Sequence, residues 1–310
     1  MTTPVYAKMA VVGCGLIGSS IVRAAREAHA VDRIVIAETS AEARARIVEL
    51  GFADAVTADA AEAVRDADLV VFAVPVLSMG DAAQAAAAGF KPGATVTDVG
   101  SVKGAVADAL AAACPDSVHV IPGHPIAGTE QSGPDAGFAE LFQNRWTILT
   151  PDPRTDAPYR EAVARLSDFW TRIGARVEEM DARHHDLVLA ITSHLPHLIA
   201  YNIVGTAADL EGVAEAEVMK YSAGGFRDFT RIAASDPTMW RDVFLTNKDA
   251  VLEVLGRFTE DLQALSRAIR WGEGDKLFEL FSRTREIRRG IVAMGQESAE
   301  PNFGRDRGKH

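Results

Sequence analysis

Gly13-Cys14-Gly15-Leu16-Ile17-Gly18 stands between an apolar run, Met9-Ala10-Val11-Val12, and a helical run from Ser19 to Ala28. No other segment constrains the backbone as much. Gly13 permits the tight turn, Gly15 lets phosphates approach the main chain, and Gly18 lets the helix pack close on the strand. A helix starting there offers free N–H groups and the positive end of its dipole to an anion. The glycine string alone is weak evidence. Placed after a strand and before a helix, it is the fingerprint of a dinucleotide-binding turn, so Gly13, Gly15, Leu16, Ile17 and Gly18 are candidate cofactor contacts.

The next test is an acid at the end of the second strand. Glu38 follows Arg33-Ile34-Val35-Ile36-Ala37, about 20 positions after Gly18, where a carboxylate holds ribose hydroxyls and repels a 2′-phosphate. This favours NAD over NADP. Thr39 and Ser40 would tolerate a phosphate, Arg44 and Arg46 could pair with one, and Glu38 could instead serve only to cap the next helix. The run Leu69 to Val74 ends at Pro75, and Asp98-Val99-Gly100-Ser101-Val102-Lys103 follows Ala94 to Thr97. Ligands of open α/β sheets lie beyond the carboxyl ends of the strands, so Val74, Pro75 and Ser101 are expected at the nicotinamide end.

Further β-rich runs occur at Val118 to Ile121, Trp146 to Leu149 and Ala175 to Glu178, with a helical run from Pro158 to Ile173. The early runs are apolar on both faces, as parallel strands covered by helices must be. The expected fold is an α/β doubly wound, Rossmann-type sheet over residues 1–181. From Ala182 the periodicity becomes helical, through Ala182 to Ala208, Pro237 to Arg270 and Gly274 to Ala293. Residues 182–295 read as an all-helical substrate and dimerisation domain, and 296–310 as a flexible tail. A long amphipathic helix such as Asn247 to Arg270 needs a partner for its apolar face, and a homodimer supplies one.

Net charge is −11, which disfavours nucleic acid as a partner but still allows a local basic pocket for an anionic small molecule. The uninterrupted apolar runs, such as Leu69 to Val76, are too short for a membrane span of about 20 residues. No secretion signal opens the chain. Cys14 and Cys114 form no CxxC pair or zinc set. A cytoplasmic protein is expected.

The second half is rich in polar motifs. His124, between Gly123 and Pro125, lies at the end of a strand, where it can contact substrate or merely bond backbone. His184, His185, His194 and His197 crowd one helical stretch. HxxH at 194 and 197 raises the question of a metal, but there is no HExxH and no acid cluster to complete a site, so none is expected. Arg227 and Arg231 follow a glycine pair, and guanidinium forks suit carboxylates.

DVGSVK (98–103), GHPIAGTE (123–130), SHLPH (193–197) and GGFRDFTRIAASDPTMWRD (224–242) together resemble the prephenate/arogenate (cyclohexadienyl) dehydrogenase family of tyrosine biosynthesis, over nearly the whole chain. The resemblance implies NAD-dependent oxidative decarboxylation of prephenate, of arogenate, or of both. It gives His124 the role of accepting a hydrogen bond from the ring hydroxyl, with Ser101 beside it. Arg231 would bind a substrate carboxylate, and Thr129, Glu130, His185, His197 and Trp240 would line the pocket. Met239 would reach a neighbouring subunit's pocket in an intertwined homodimer. A short, monofunctional form is expected, with neither a mutase segment nor a regulatory amino-acid-binding domain. Another NAD(P)-dependent hydroxyacid-type dehydrogenase with a helical dimer domain, and a non-catalytic NAD-binding regulator, stay as alternatives.

Overall fold

A computed structural model describes residues 3–129, 131–153, 156–209 and 224–293. Six parallel strands form the main sheet: β1 (Tyr6–Val12), β2 (Val31–Ala37), β3 (Ala55–Thr57), β4 (Leu69–Phe72), β5 (Thr95–Asp98) and β6 (His119–Val120). Their order is β3-β2-β1-β4-β5-β6. The order reverses between β1 and β4, which opens the crevice where such sheets bind dinucleotides. Met9 to Val12 of β1 and all of β4 are buried, as a sheet covered on both faces requires. One apolar cluster packs Ile21, Val22 and Ala25 of α1 (Leu16–Glu27) with Phe169 and Trp170 of α6 (Ala157–Arg172). The other packs Met79 and Ala83 of α4 (Met79–Ala86) with Val106 and Leu110 of α5 (Gly104–Ala113).

Two strands escape the sequence pattern, and two others belong elsewhere. β3 has only three half-buried residues. Gly123–Pro125 is itself a short strand, β7, and pairs antiparallel with β8 (Trp146–Leu149); β9 (Arg176–Glu179) adds parallel to β8. The runs at 146 and 176 therefore build a separate three-stranded sheet instead of extending the main one. Only Ile121 and Pro122 separate β6 from β7, and a parallel crossover needs a dozen residues or more.

Beyond Asp181, α7 (Ala182–Leu189), a π-helical turn (Ala190–His194) and α8 (Leu195–Asp209) run on without a break. Asp181 caps α7 by accepting from the amides of Arg183 and His184 at 2.9 and 3.1 Å. Asp236 caps the helix Pro237–Thr246 in the same way, with Pro237 in the first turn. The helical segment from Pro237 to Arg270 is divided at Asn247 (φ −107°), and the long helix expected from Asn247 to Arg270 runs Lys248–Arg270. Asn247 leaves helical geometry because its amide turns inward to bond Asp186 and His194.

By length and average hydropathy, the stretch Ala182–Asp209 could cross a membrane. Its uninterrupted apolar runs are short, because histidines, serine and threonine break them. By compactness the chain divides between Leu252 and Glu253.

Candidate active site

The carboxyl ends of β1, β4 and β5 converge. Gly13 adopts φ +87°, and a Cβ there would strike the Ala73 carbonyl and the Val74 side chain, so the first glycine is obligatory. Gly18 abuts the Gly13 carbonyl, whereas nothing lies within 4 Å of the position a Gly15 Cβ would take. The middle glycine leaves a gap and the outer two make contact, which is the arrangement a pyrophosphate needs. Leu16 is buried in the first turn of α1, and Ile17 is half-buried against the core. Glu38 accepts from Cys14 N at 3.1 Å and Ser40 N at 2.9 Å. Ser40, and not Glu38, caps the next helix, accepting from Ala43 N at 3.2 Å. Arg44 bonds the carbonyls of Glu38 and Thr39, and Arg46 is engaged by Asp135 and Glu49.

Below Ser101 lies a buried ion pair whose role the sequence did not disclose. Lys103 and Asp98 are both fully buried and pair with each other. Lys103 Nζ also donates to the Gly123 carbonyl at 2.6 Å, and Asp98 accepts from Gly100 N at 2.7 Å and Gly123 N at 3.0 Å. The pair thus ties the loop after β5 to β7 and fixes His124. Burial lowers the Lys103 pKa, against the pull of Asp98.

His124 is only 8% exposed. Its Nδ1 lies 2.9 Å from His185 Nε2, and His185 Nδ1 lies 2.8 Å from Asp186 Oδ1. The two Asp186 oxygens also accept from Lys103 N at 2.7 Å and Gly104 N at 2.9 Å, at the start of α5. Burial drives the His124 pKa well below the usual imidazole range, and His185 and Lys103 add to this. His185 is lowered by burial as well, with Asp186 opposing. Burial would raise Asp186, but His185 and the two amides outweigh it and hold the carboxylate low. His194 is lowered to about 4, again chiefly by burial. Its Nδ1 lies 3.1 Å from Asn247 Nδ2, which also donates to the Asp186 carbonyl at 2.8 Å.

A second group sits on the helical side. His197 stacks on Trp240, with ring centroids 3.7 Å apart and planes 23° from parallel, and its Nδ1 bonds the Ser193 carbonyl at 2.8 Å. Trp240 and Val243 pack against Val102, next to Ser101. Burial lowers His197, and the charge of Arg231 adds to the effect. Arg231 itself is exposed, on the short 3-10 helix Arg231–Ala234.

Both halves of the chain match models of one family. Residues 21–179 match the nucleotide-binding domain of prephenate dehydrogenase, and residues 181–283 match its dimerization domain. The chain belongs to the prephenate dehydrogenase family. Among its relatives is the cyclohexadienyl dehydrogenase of Zymomonas mobilis, 45% identical over 92% of this chain and 96% of that protein. A crystal structure of prephenate dehydrogenase from Aquifex aeolicus, in complex with hydroxyphenyl propionate and NAD+, superposes with a TM-score of 0.83 at 32% identity, covering 92% and 98% of the two chains. Synechocystis arogenate dehydrogenase superposes at 0.76 with 26% identity, covering 92% and 99%.

Within this prephenate dehydrogenase family chain, the residues expected at the pocket divide. His124 and His185 meet directly, as do His197 and Trp240, and Arg231 acts on His197. Thr129 lies on an exposed loop, accepting from Gln131 N at 3.2 Å, and Met239 is 39% exposed. Glu130 and the expected tail at 296–310 lie outside the described residues. Asp98, Lys103, Asp186 and Asn247 had no expected role. The available signal was a lysine in the loop after a buried strand; Asp186 stands in a polar stretch with Arg183, His184 and His185, which does not set it apart. Among the described residues no three or more His, Cys, Asp or Glu side chains gather as metal ligands.

Proposed function

We propose that this chain catalyses the NAD-dependent oxidative decarboxylation of prephenate, of arogenate, or of both, in tyrosine biosynthesis. The observation that carries the reading is the buried, neutral His124, placed by the Asp98–Lys103 pair beside the carboxyl ends of a dinucleotide-binding sheet. Family membership and the relatives' names support the substrate class. The glycine loop, Glu38, Val74 and Pro75 would hold the cofactor, and the free gap at Gly15 fits a pyrophosphate. With both nearby arginines already engaged and Glu38 held towards the glycine loop, NAD is favoured over NADP.

NAD, when bound, takes hydride from the ring carbon that bears the hydroxyl. The protein's share is to hold that hydroxyl and receive its proton, which a neutral imidazole does well. His124 takes this role, with Ser101 beside it. Loss of the ring carboxylate as carbon dioxide aromatises the ring and draws the reaction forward, so positioning matters more than further acid chemistry. Arg231 binds a carboxylate, the stacked His197–Trp240 pair forms a wall of the pocket, and Thr129 and Glu130 keep the pocket-lining role that the family resemblance implies.

The domain boundary is placed at Asp181–Ala182, with residues 182–295 forming the substrate and dimerisation domain. A homodimer is supported by the matched dimerization model, by Phe278 and Phe281, exposed on the C-terminal helix, and by Trp271, exposed in the turn before it. Met239 is assigned to the neighbouring subunit's pocket. The four histidines and Asp186 in Ala182–Asp209 support a place over the active site for that stretch, not in a lipid bilayer, and a cytoplasmic location follows. The deciding experiment measures NADH or NADPH formation from prephenate and from arogenate, each with NAD and with NADP. Turnover with at least one substrate and NAD is expected, and silence with both would overturn the reading.

A further inference from the structure

We propose that Asp186 is a positioning residue that acts through His185 to fix the tautomer of His124, with Nδ1 protonated and Nε2 left as a bare acceptor for substrate. The inference rests on the reading of His124 as the group that receives the hydroxyl proton.

The argument is a count of donors. An ionised carboxylate only accepts hydrogen bonds. Asp186 receives the amides of Lys103 and Gly104 at 2.7 and 2.9 Å, and the start of α5 favours a negative charge there. Its remaining neighbour, His185 Nδ1 at 2.8 Å, must therefore carry a proton. A neutral imidazole has one N–H, so His185 Nε2 has none and can only accept. His124 Nδ1, 2.9 Å away, must then donate. By the same rule His124 Nε2 is unprotonated. The low pKa values of both rings keep each neutral near pH 7.

The main chain of Asp186 is held as well. The Asp186 carbonyl accepts from Asn247 at 2.8 Å, so α7 cannot slide without breaking that bond. Asp186 thus sits where the loop after β5, α7 and the break at Asn247 meet, and a single charge sets the direction of every hydrogen bond out to His124.

Replacing the carboxylate by an amide should reverse that direction. In Asp186→Asn with the amide oxygen in the Oδ2 place, the Gly104 amide is kept, the Lys103 amide is lost, and the NH2 in the Oδ1 place donates to His185 Nδ1. His185 must become Nε2–H and donate to His124 Nδ1, leaving His124 protonated on Nε2 and unable to accept. In the serine-protease triad, the corresponding acid-to-amide change lowers kcat by about 10⁴-fold. Here a fall of at least about 100-fold in kcat is expected, with substrate KM and the NAD dissociation constant within about threefold.

The test has a part that needs no variant. Long-range ¹H–¹⁵N correlation of the histidine rings in the wild-type NAD complex should show His124 and His185 both protonated on Nδ1, and Nε2 protonation of His124 would overturn the proposal. If Asp186→Asn folds, both rings should switch to Nε2–H. If the amide only weakened the cap on α5, kcat would fall equally in a His185→Phe background; if it acts through His185, the second change adds nothing there. Normal turnover in His124→Asn would remove His124 as acceptor while leaving the tautomer measurement intact, so the two failures are distinguishable.

Discussion

The α-carbon of Gly18 lies so close to the Gly13 carbonyl oxygen that a Cβ on Gly18 would stand inside 3.0 Å of it, while the same addition at Gly15 meets nothing within 4 Å. The three glycines of one loop therefore serve different ends. Gly18→Ala should destabilise the fold by about 1–3 kcal/mol through overpacking. Gly15, at φ −76°, accepts Ala without backbone strain, so Gly15→Ala should melt within a degree or two of wild type and yet bind NADH about tenfold more weakly or worse. Thermal unfolding and a fluorescence titration separate the two, and equal melting losses would contradict the assignment.

His124→Asn and Arg231→Ala should fail in different kinetic constants. Loss of the proton acceptor lowers kcat by about 100-fold or more and spares NAD binding. Loss of the guanidinium mainly raises the Michaelis constant of the substrate. Steady-state kinetics on both variants checks the division. An unchanged Michaelis constant in Arg231→Ala would count against its role.

Four histidines, 124, 185, 194 and 197, all have folded pKa values below the ordinary imidazole value. Below about pH 6.5 the unfolded chain takes up protons that the folded chain refuses, so stability falls as pH falls. For His194 the loss runs from pH 6.5 down to about 4, at up to about 1.4 kcal/mol per pH unit. Above pH 6.5 these groups contribute no slope. Urea midpoints across pH 4–8 should be flat at the alkaline end and fall on the acid side. The acid limb of kcat/KM should also lie below pH 6.5, because His124 must be neutral to work.

Lys103→Met should be among the costliest single changes in the molecule. It strands the Asp98 carboxylate without a counter-charge at 0% exposure, and breaking a buried pair from one side costs about 3–5 kcal/mol. Adding Asp98→Asn should recover part of that loss. Denaturant unfolding of the three variants tests this, and strictly additive losses would argue against the pairing.

The parallel sheet and the glycine turn were legible because burial on both faces leaves unbroken apolar runs at 9–12, 34–37 and 69–72, and because three glycines have few other uses. β7 was not legible. Gly123-His124-Pro125 contains no β-branched residue, and it is a strand through tertiary contacts, pairing with β8 while Asp98 and Lys103 hold both main-chain groups of Gly123. His124 and His185 could each be named for the pocket, but their direct pairing could not, since they lie 61 positions apart. Asp186 and Asn247 carry polar contacts that depend on tertiary placement, and no local pattern marks them.

The π-helical turn at Ala190–His194 sets the phase of everything that follows it on that helix. Such a turn accommodates one residue more than an α-helical turn, and each residue advances the helix by about 100°. Without it, His194 would point nearly opposite to His185. With it, His194 comes round far enough to meet Asn247, and His197 to meet Trp240. Chain length inside this one turn is therefore as constrained as residue identity. A single-residue deletion between Ala190 and His194 would leave every named side chain present and the helix unbroken, yet turn the second half of the site to the wrong compass bearing.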